Sequence, residues 1–225
     1  MSRQALVIFD CDGTLVDSAA MIVDTAQRAF TIAELRAPRR EAVLAATGLS
    51  LPDFIAAVAD EPLSPALRDR IVAAYRELFA SYAHGGPTGP LFPGIRACID
   101  SLQAQGMLLG VATGKSRRGL NGVLAQHGLG DCFITLKTAD DGPSKPHPEI
   151  LHQAMSETGI DPDRTIMIGD STFDMAMAVN AGVHGIGVSW GHQPVDRLID
   201  AGAAQIVEDA ADLLPRISDY LGGEA

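Results

Sequence analysis

Asp10-Cys11-Asp12-Gly13-Thr14-Leu15-Val16-Asp17-Ser18 follows directly on the apolar run Ala5-Leu6-Val7-Ile8-Phe9. The apolar run reads as a strand, and the acidic stretch after it marks that strand's carboxyl end. Two carboxylates two residues apart, followed by a glycine turn, put two acids at the mouth of one crevice. Asp and Gly are also common turn formers, so the stretch taken alone leaves a plain turn open. A calcium loop is excluded, because it needs glycine in sixth place and acids at one, three and five. Here the glycine is fourth.

Outward from this point, short apolar runs alternate with helical patterns, the signature of βαβ units and a parallel sheet. Strands are expected at Ala5 to Phe9, Leu108 to Thr113, Cys132 to Leu136, Thr165 to Ile168, Ile186 to Val188 and Gln205 to Val207. Helices are expected at Arg117 to His127, Pro148 to Thr158, Thr172 to Ala181 and Ala210 to Leu221. One interval breaks the rhythm: the second strand starts near Leu108, far beyond the roughly 30 residues of a βαβ crossover. The excess is helical in pattern. Ile22, Ala26, Ala29 and Phe30 share one face, as do Leu67, Ile71, Leu78 and Tyr82. Gly85-Gly-Pro-Thr-Gly-Pro90 closes the segment as a hinge. The expected fold is therefore α/β, a doubly wound, Rossmann-like parallel sheet with an inserted α-helical cap. The core comprises residues 1–17 and 90–225, and the cap residues 18–89. An insertion at a strand's carboxyl end sits over the place where open α/β sheets bind ligands.

A second acid pair, Gly169-Asp170-Ser171-Thr172-Phe173-Asp174, again follows a strand. A helix starting near Ser171 would stack Asp170 and Asp174 on one side, although Asp170 could instead cap that helix. Two carboxylates about 4 Å apart repel by about 4 kcal/mol at an effective dielectric of 20. A crevice holding Asp10, Asp12, Asp170 and Asp174 therefore needs a cation, and oxygen-only ligands beside phosphate point to Mg²⁺. Thr113-Gly114 ends the second strand and offers a hydroxyl and N–H groups to a phosphate. Lys145, in Ser144-Lys145-Pro146-His147-Pro148, precedes a helix and could neutralise phosphoryl oxygens. Gly114-Lys115-Ser116 imitates the end of a nucleotide P-loop, but that motif needs glycine where this chain has Leu109.

Composition narrows the partners. Among 225 residues, 17 are basic and 28 acidic, a formal net charge of -11. That balance argues against nucleic acid and against an anionic membrane surface. Cys11, Cys98 and Cys132 are scattered, as in a chain of reduced thiols in the cytoplasm. No apolar run approaches a membrane span. Cys11 is expected to pack behind its loop. Lys115, Arg117 and Arg118 suit a solvated helix start as well as a substrate contact. His147 and His192 read as turn or surface residues, and Arg39 and Arg40 as cap residues with no assigned contact.

The order strand–DxDGT, strand–Thr, Lys before a helix, strand–GDxxxD resembles that of the haloacid dehalogenase superfamily over essentially the whole chain. The insertion after DxDGT looks like that superfamily's first cap class. Ser189-Trp190-Gly191-His192, with Ala201-Gly-Ala-Ala204 and Asp209, is similar to its phosphoglycolate-phosphatase-like branch. The resemblance implies a nucleophile at Asp10 that forms an aspartyl-phosphate, and a general acid and base at Asp12. It implies Mg²⁺ on Asp10, the Asp12 backbone carbonyl and Asp170, with Asp174 in or near the shell. Thr113, Gly114 and Lys145 would bind the phosphoryl group.

The implied substrate is a small phosphate ester, 2-phosphoglycolate first, turned over by a monomer or homodimer. Asp12 argues against carbon–halogen cleavage, whose enzymes lack the second acid. The only lysines, Lys115, Lys137 and Lys145, lie outside the cap, which excludes a cap Schiff base. A sugar-phosphate mutase would carry an arginine near Gly48-Leu-Ser-Leu-Pro52, where none stands. Mutase and pyrophosphatase remain the alternatives. A signalling receiver domain is excluded by length and by the order of its acids, Thr and Lys.

Overall fold

The computed structural model describes residues 4–83 and 89–222. Six strands form one sheet: β1 (Leu6–Phe9), β2 (Leu108–Ala112), β3 (Thr135–Lys137), β4 (Thr165–Gly169), β5 (His184–Val188) and β6 (Gln205–Val207). All pair in parallel, in the order β3-β2-β1-β4-β5-β6. Among the described residues ten α-helices accompany them: α1 (Ala19–Ile32), α2 (Arg40–Ala46), α3 (Leu51–Val58), α4 (Pro65–Ala83) and α5 (Ile95–Ala104), then α6 (Arg117–Gln126), α7 (Glu149–Thr158), α8 (Thr172–Ala181), α9 (Val195–Asp200) and α10 (Leu213–Gly222).

Strand alternation divides the core. From β1, Val7 and Phe9 pack with Ile99 of α5, Leu120 of α6 and Ile217 of α10. Leu6 and Ile8 face the other side, against Leu151 of α7 and Met177 of α8. All four β1 side chains are buried, each contributing about 1.5–3 kcal/mol by leaving water. Helices thus cover both faces of the sheet, as a parallel sheet requires.

The chain winds outward from β1 through β2 to β3, then crosses back to β4 and winds the other way. The direction reverses between β1 and β4, so their carboxyl ends leave the crevice where ligands sit in such sheets. The ladder runs one residue past β1, with Asp10 N donating to Ile168 O at 2.8 Å.

Helices α1 to α4 all lie between β1 and β2 in sequence and form an apolar cluster of their own. Ile22, Ala26, Ala29 and Phe30 are buried there, as expected, with Ile71; Leu67 and Leu78 are partly buried against it. The Tyr82 side chain lies outside the described residues. The two chain segments that join these helices to the sheet run side by side. Asp17 N donates to Pro90 O at 2.9 Å and Phe92 N to Leu15 O at 3.0 Å. Of the expected hinge, residues 85–88 lie outside the described residues; Gly89 is in the left-handed region at φ +89°.

Four elements differ most from the sequence pattern. β3 begins at Thr135 rather than Cys132, because Leu129 and Phe133 turn into the core ahead of it and leave Ile134 exposed. The strand then runs on to Lys137, whose ammonium pairs with Glu157. The last helix starts with a 3₁₀ turn at Ala210–Asp212, capped by Asp209 accepting from Ala211 N at 2.8 Å. α5 and α9 lie outside the expected set: α5 is amphipathic but follows the glycine-rich segment, and α9 is only six residues long.

Candidate active site

Asp10 is the residue immediately after β1, and Asp170 the residue immediately after β4. Because those strands are neighbours in register, the two carboxylates meet. Asp174 joins them from the first turn of α8. Its backbone N and Oδ2 are fixed by a reciprocal cap: Ser171 N and Oγ donate to Asp174 Oδ2 at 3.1 and 2.6 Å, and the Ser171 side chain accepts from Asp174 N. The helix is thus capped by Ser171, and Asp170 is free for another task. One carboxylate oxygen from each of Asp10, Asp170 and Asp174 lies within 4.8 Å of the others.

Lys145 enters this cluster from the loop before α7. Its Nζ donates to Asp10 Oδ1 at 2.8 Å and to Asp174 Oδ1 at 2.6 Å, with all three side chains buried. Asp170 accepts from Thr14 Oγ1 at 3.3 Å and from His192 N at 2.7 Å. Asp10 Oδ2 has no hydrogen-bond partner among the described residues. Burial raises Asp10 to about 7, with Lys145 opposing the shift and Asp174 and Asp170 adding to it. Burial, then Asp174, raises Asp170 to about 7 as well. Lys145 lies above its ordinary value: burial pulls it down, and Asp10 and Asp174 outweigh that.

Three buried carboxylates against one ammonium leave an excess of negative charge and an unsatisfied oxygen on Asp10. An oxygen-seeking divalent cation fits that donor set. Gly13 shapes the same place. It sits at φ +84°, and a Cβ there would lie 2.2 Å from Asp170 Oδ2, so only glycine lets the loop pass over that carboxylate.

Asp12 points elsewhere. Its Oδ1 accepts from Ser18 Oγ, and both its oxygens accept from Lys115 Nζ, at 2.8 and 2.7 Å. Burial would raise Asp12, but Lys115 prevails and holds it below the ordinary carboxylate range. Thr113, buried at the end of β2, lines the same cleft together with Gly114, Asp10 and Asp12. A Cβ on Gly114 would lie 2.3 Å from Leu49 O, so the loop between α2 and α3 rests directly on the sheet's end. Ser50 N donates to Ser144 Oγ at 2.8 Å, and Gln193 Nε2 to Ala45 O at 3.0 Å. The cleft enclosed between the helices and the sheet's end measures about 1210 Å³.

The structure places two residues differently from the sequence reading. Lys115 is a buried partner of Asp12, its side chain 8% exposed and its Nζ 5.0 Å from the centroid of the Phe79 ring. Its place one residue beyond Gly114, in the loop that leaves β2 beside β1, was the available signal. His192 is not a surface residue either: its side chain is 5% exposed, with Nδ1 3.4 Å from Asp170 Oδ2. Burial holds that imidazole below its ordinary value, against the pull of Asp12, Asp10 and Asp17. His147, Arg39 and Arg40 are exposed. Arg117 pairs with Asp141 at 2.7 Å. Cys11 is buried, and its thiol is pushed up chiefly by burial.

The model of the haloacid dehalogenase-like hydrolase family matches residues 7–188. A protein of Dickeya dadantii named "Probable phosphatase IndB" is 34% identical over 210 residues, covering 93% of this chain and 91% of that protein. The phosphoglycolate phosphatase of Vibrio vulnificus is 29% identical over 225 residues, covering 93% and 94%. Among solved structures, a hydrolase from Pseudomonas syringae superposes with a TM-score of 0.85 at 25% identity, over 96% of this chain and 99% of that one.

Proposed function

The chain belongs to the haloacid dehalogenase-like hydrolase family and is a phosphoric monoester hydrolase of the phosphoglycolate-phosphatase type, from which we propose that it cleaves a small-molecule phosphomonoester with Mg²⁺, through an aspartyl-phosphate on Asp10. The observation that carries this reading is Asp10 Oδ2, without a hydrogen-bond partner among the described residues, in a cluster of three carboxylates.

In this proposal Asp10, the Asp12 backbone carbonyl and Asp170 hold the metal, with Asp174 in or near its shell. The ion, when bound, neutralises phosphoryl oxygens and so makes phosphorus open to an anionic nucleophile. Asp10 Oδ2 attacks phosphorus, and the P–O bond to the alcohol breaks. Asp12 gives its proton to the leaving oxygen. A water then attacks the aspartyl-phosphate, and Asp12 takes that water's proton, which returns Asp10 as a carboxylate. Lys115 holds Asp12 ionised in the conformation described, which suits the second half; the first half requires that pair to open. Thr113 Oγ1, Gly114 N–H and Lys145 Nζ hold the phosphoryl oxygens.

Residues 18–89 serve as the cap over this site, and its closure excludes water. Support comes from the separate apolar cluster of α1 to α4 and the paired segments at Asp17 and Pro90. A cytoplasmic place of action is part of the proposal, supported by the three free cysteines. No helix among the described residues is long and apolar enough to cross a membrane.

The deciding experiment is phosphate release from a panel beginning with 2-phosphoglycolate and including pyrophosphate and sugar phosphates, with Mg²⁺ and with EDTA, for the native chain and Asp10→Asn. Mg²⁺-dependent release that Asp10→Asn abolishes is the expected result. Native-like turnover by Asp10→Asn would remove the nucleophile assignment, and isomerised rather than released phosphate would favour a mutase.

A further inference from the structure

The cleft above Asp10 is far larger than a two-carbon ester needs. A pocket that buries a drug-sized ligand measures about 300–1,000 Å³, and this one measures about 1210 Å³. Its two walls differ in kind. On the helical side, Phe54, Tyr75 and Phe79 stand in a row. The Tyr75 and Phe79 rings are stacked, with centroids 6.0 Å apart and planes 14° from parallel, and Phe54 meets Tyr75 edge-on at 5.9 Å. On the sheet side the wall is α6, which presents Gly119 and Gly122 to the cleft.

Gly122 has no conformational reason to be glycine. Its φ lies outside the left-handed region, and a Cβ there would meet nothing within 4 Å. Glycine inside a helix weakens it relative to alanine, so the position keeps space in the cleft at a cost to α6. Gly119 sits a turn earlier, where a Cβ would come within 3.9 Å of Phe79 Cε1. Phe79 thus closes one end of the space, and Gly122 leaves the rest without side chains.

The hydroxyl of Tyr75 gives a second, independent sign. Tyr75 is 9% exposed and lines the cleft. Its hydroxyl has no hydrogen bond among the described residues. Burial, with Asp12 nearby, keeps the phenol protonated, so it is a donor without an acceptor beside the leaving-group end of the site.

We propose, building on the phosphatase reading above, that the ester's alcohol carries a planar ring that seats against Tyr75 and Phe79 in the space left by Gly119 and Gly122, with an acceptor atom that takes the Tyr75 hydroxyl. Aromatic walls favour flat π-faced partners over aliphatic chains, and a wall without side chains fits a flat group.

The test compares kcat/KM, with Mg²⁺, for ring-bearing alkyl phosphates (benzyl phosphate, pyridoxal 5′-phosphate, adenosine 5′-monophosphate) and ring-free ones (2-phosphoglycolate, glycerol 3-phosphate). The native chain should favour its best ring-bearing ester by about tenfold or more. Phe79→Ala and Gly122→Leu should each cut that preference by about tenfold, and Tyr75→Phe should raise KM for the preferred ring ester more than it lowers kcat. Gly122→Leu replaces a poor helix former where space is open, so its melting temperature should not fall. A native preference for a ring-free ester would overturn this inference while leaving the phosphatase reading intact. So would a ring preference untouched by both Phe79→Ala and Gly122→Leu. Release from none of the esters would overturn the phosphatase reading, and this inference with it.

Discussion

Lys115 Nζ lies 2.8 and 2.7 Å from the two carboxylate oxygens of Asp12, tying the end of β2 to the loop after β1. The pair sits inside the cleft, with side chains 8% and 11% exposed, so solvent screens it weakly. Lys115→Met removes the charge and keeps the apolar stem. Asp12 then titrates higher, because burial raises it with Lys115 no longer opposing. The basic limb of the pH–kcat/KM profile, which reads Asp12 as the acid of the first half, should move up in pH, while kcat at pH 7, which includes water attack with Asp12 as base, should fall by about 10²-fold. An unmoved limb would separate Lys115 from Asp12 function.

Asp10 and Asp170 make the metal-free protein sensitive to alkali. Their folded values, about 7 against an ordinary 3.8, mean that the folded state binds more protons than the unfolded one between those limits. Stability therefore falls as pH rises from about 4 through about 7. Melting curves in EDTA should show Tm dropping from pH 5 to pH 8. On the proposed function, Mg²⁺ binds the ionised cluster, and at a hundredfold over Kd it would add about 2.7 kcal/mol. Its gain in Tm should be several degrees at pH 8 and small at pH 5. An equal gain at every pH would count against binding at these carboxylates.

Removing Lys145 should show the same signature more sharply. Lys145→Met leaves three buried carboxylates without their ammonium. Breaking a buried pair in this way costs about 3–5 kcal/mol. Chemical denaturation at pH 8 without metal should read a loss of that order, and at pH 5, where Asp10 and Asp170 take up protons, a distinctly smaller one. A loss independent of pH would mean that packing, not charge, sets the cost.

Gly114→Ala tests the contact between the helical segment and the sheet. The added methyl would lie 2.3 Å from Leu49 O and 2.4 Å from Gly48 O. The loop between α2 and α3 has to withdraw, and displacements of about 1 Å around a reacting centre cost roughly 10²-fold in rate. The expected outcome is that much lost from kcat/KM, with cleavage by a protease between α2 and α3 becoming faster. Unchanged kinetics would show that this approach is incidental to turnover.

Much of this architecture was legible in the chain because Asp10 and Asp170 each lie directly after a strand. Phe9 and Ile168 are apolar and paired in register, so the loops carrying Asp10 and Asp170 leave the sheet side by side once β1 and β4 are neighbours. What could not be read depends on where distant segments return. Lys115 looked solvated because its partner is 103 positions away. His192 looked superficial because only the fold shows that its loop turns back over Asp170. The apolar stretch ahead of β3 resembled a strand, yet Leu129 and Phe133 spend it turning into the core. The lining of the cleft was hidden for the same reason, since Tyr75 and Gly122 come to line one cleft only after the helical segment has folded against the sheet.

The side-by-side run of Leu15–Asp17 and Pro90–Phe92 has a consequence for ancestry. The two ends of the helical segment are held together by hydrogen bonds from Asp17 N to Pro90 O and from Phe92 N to Leu15 O, as closely as the ends of a tight surface loop. Recombination that exchanged the coding sequence between those points would leave every strand register and the carboxylate cluster as they are. On the proposed cap role, such a lineage would trade one substrate for another by swapping a single continuous cassette, while the chemistry beneath it is inherited unaltered.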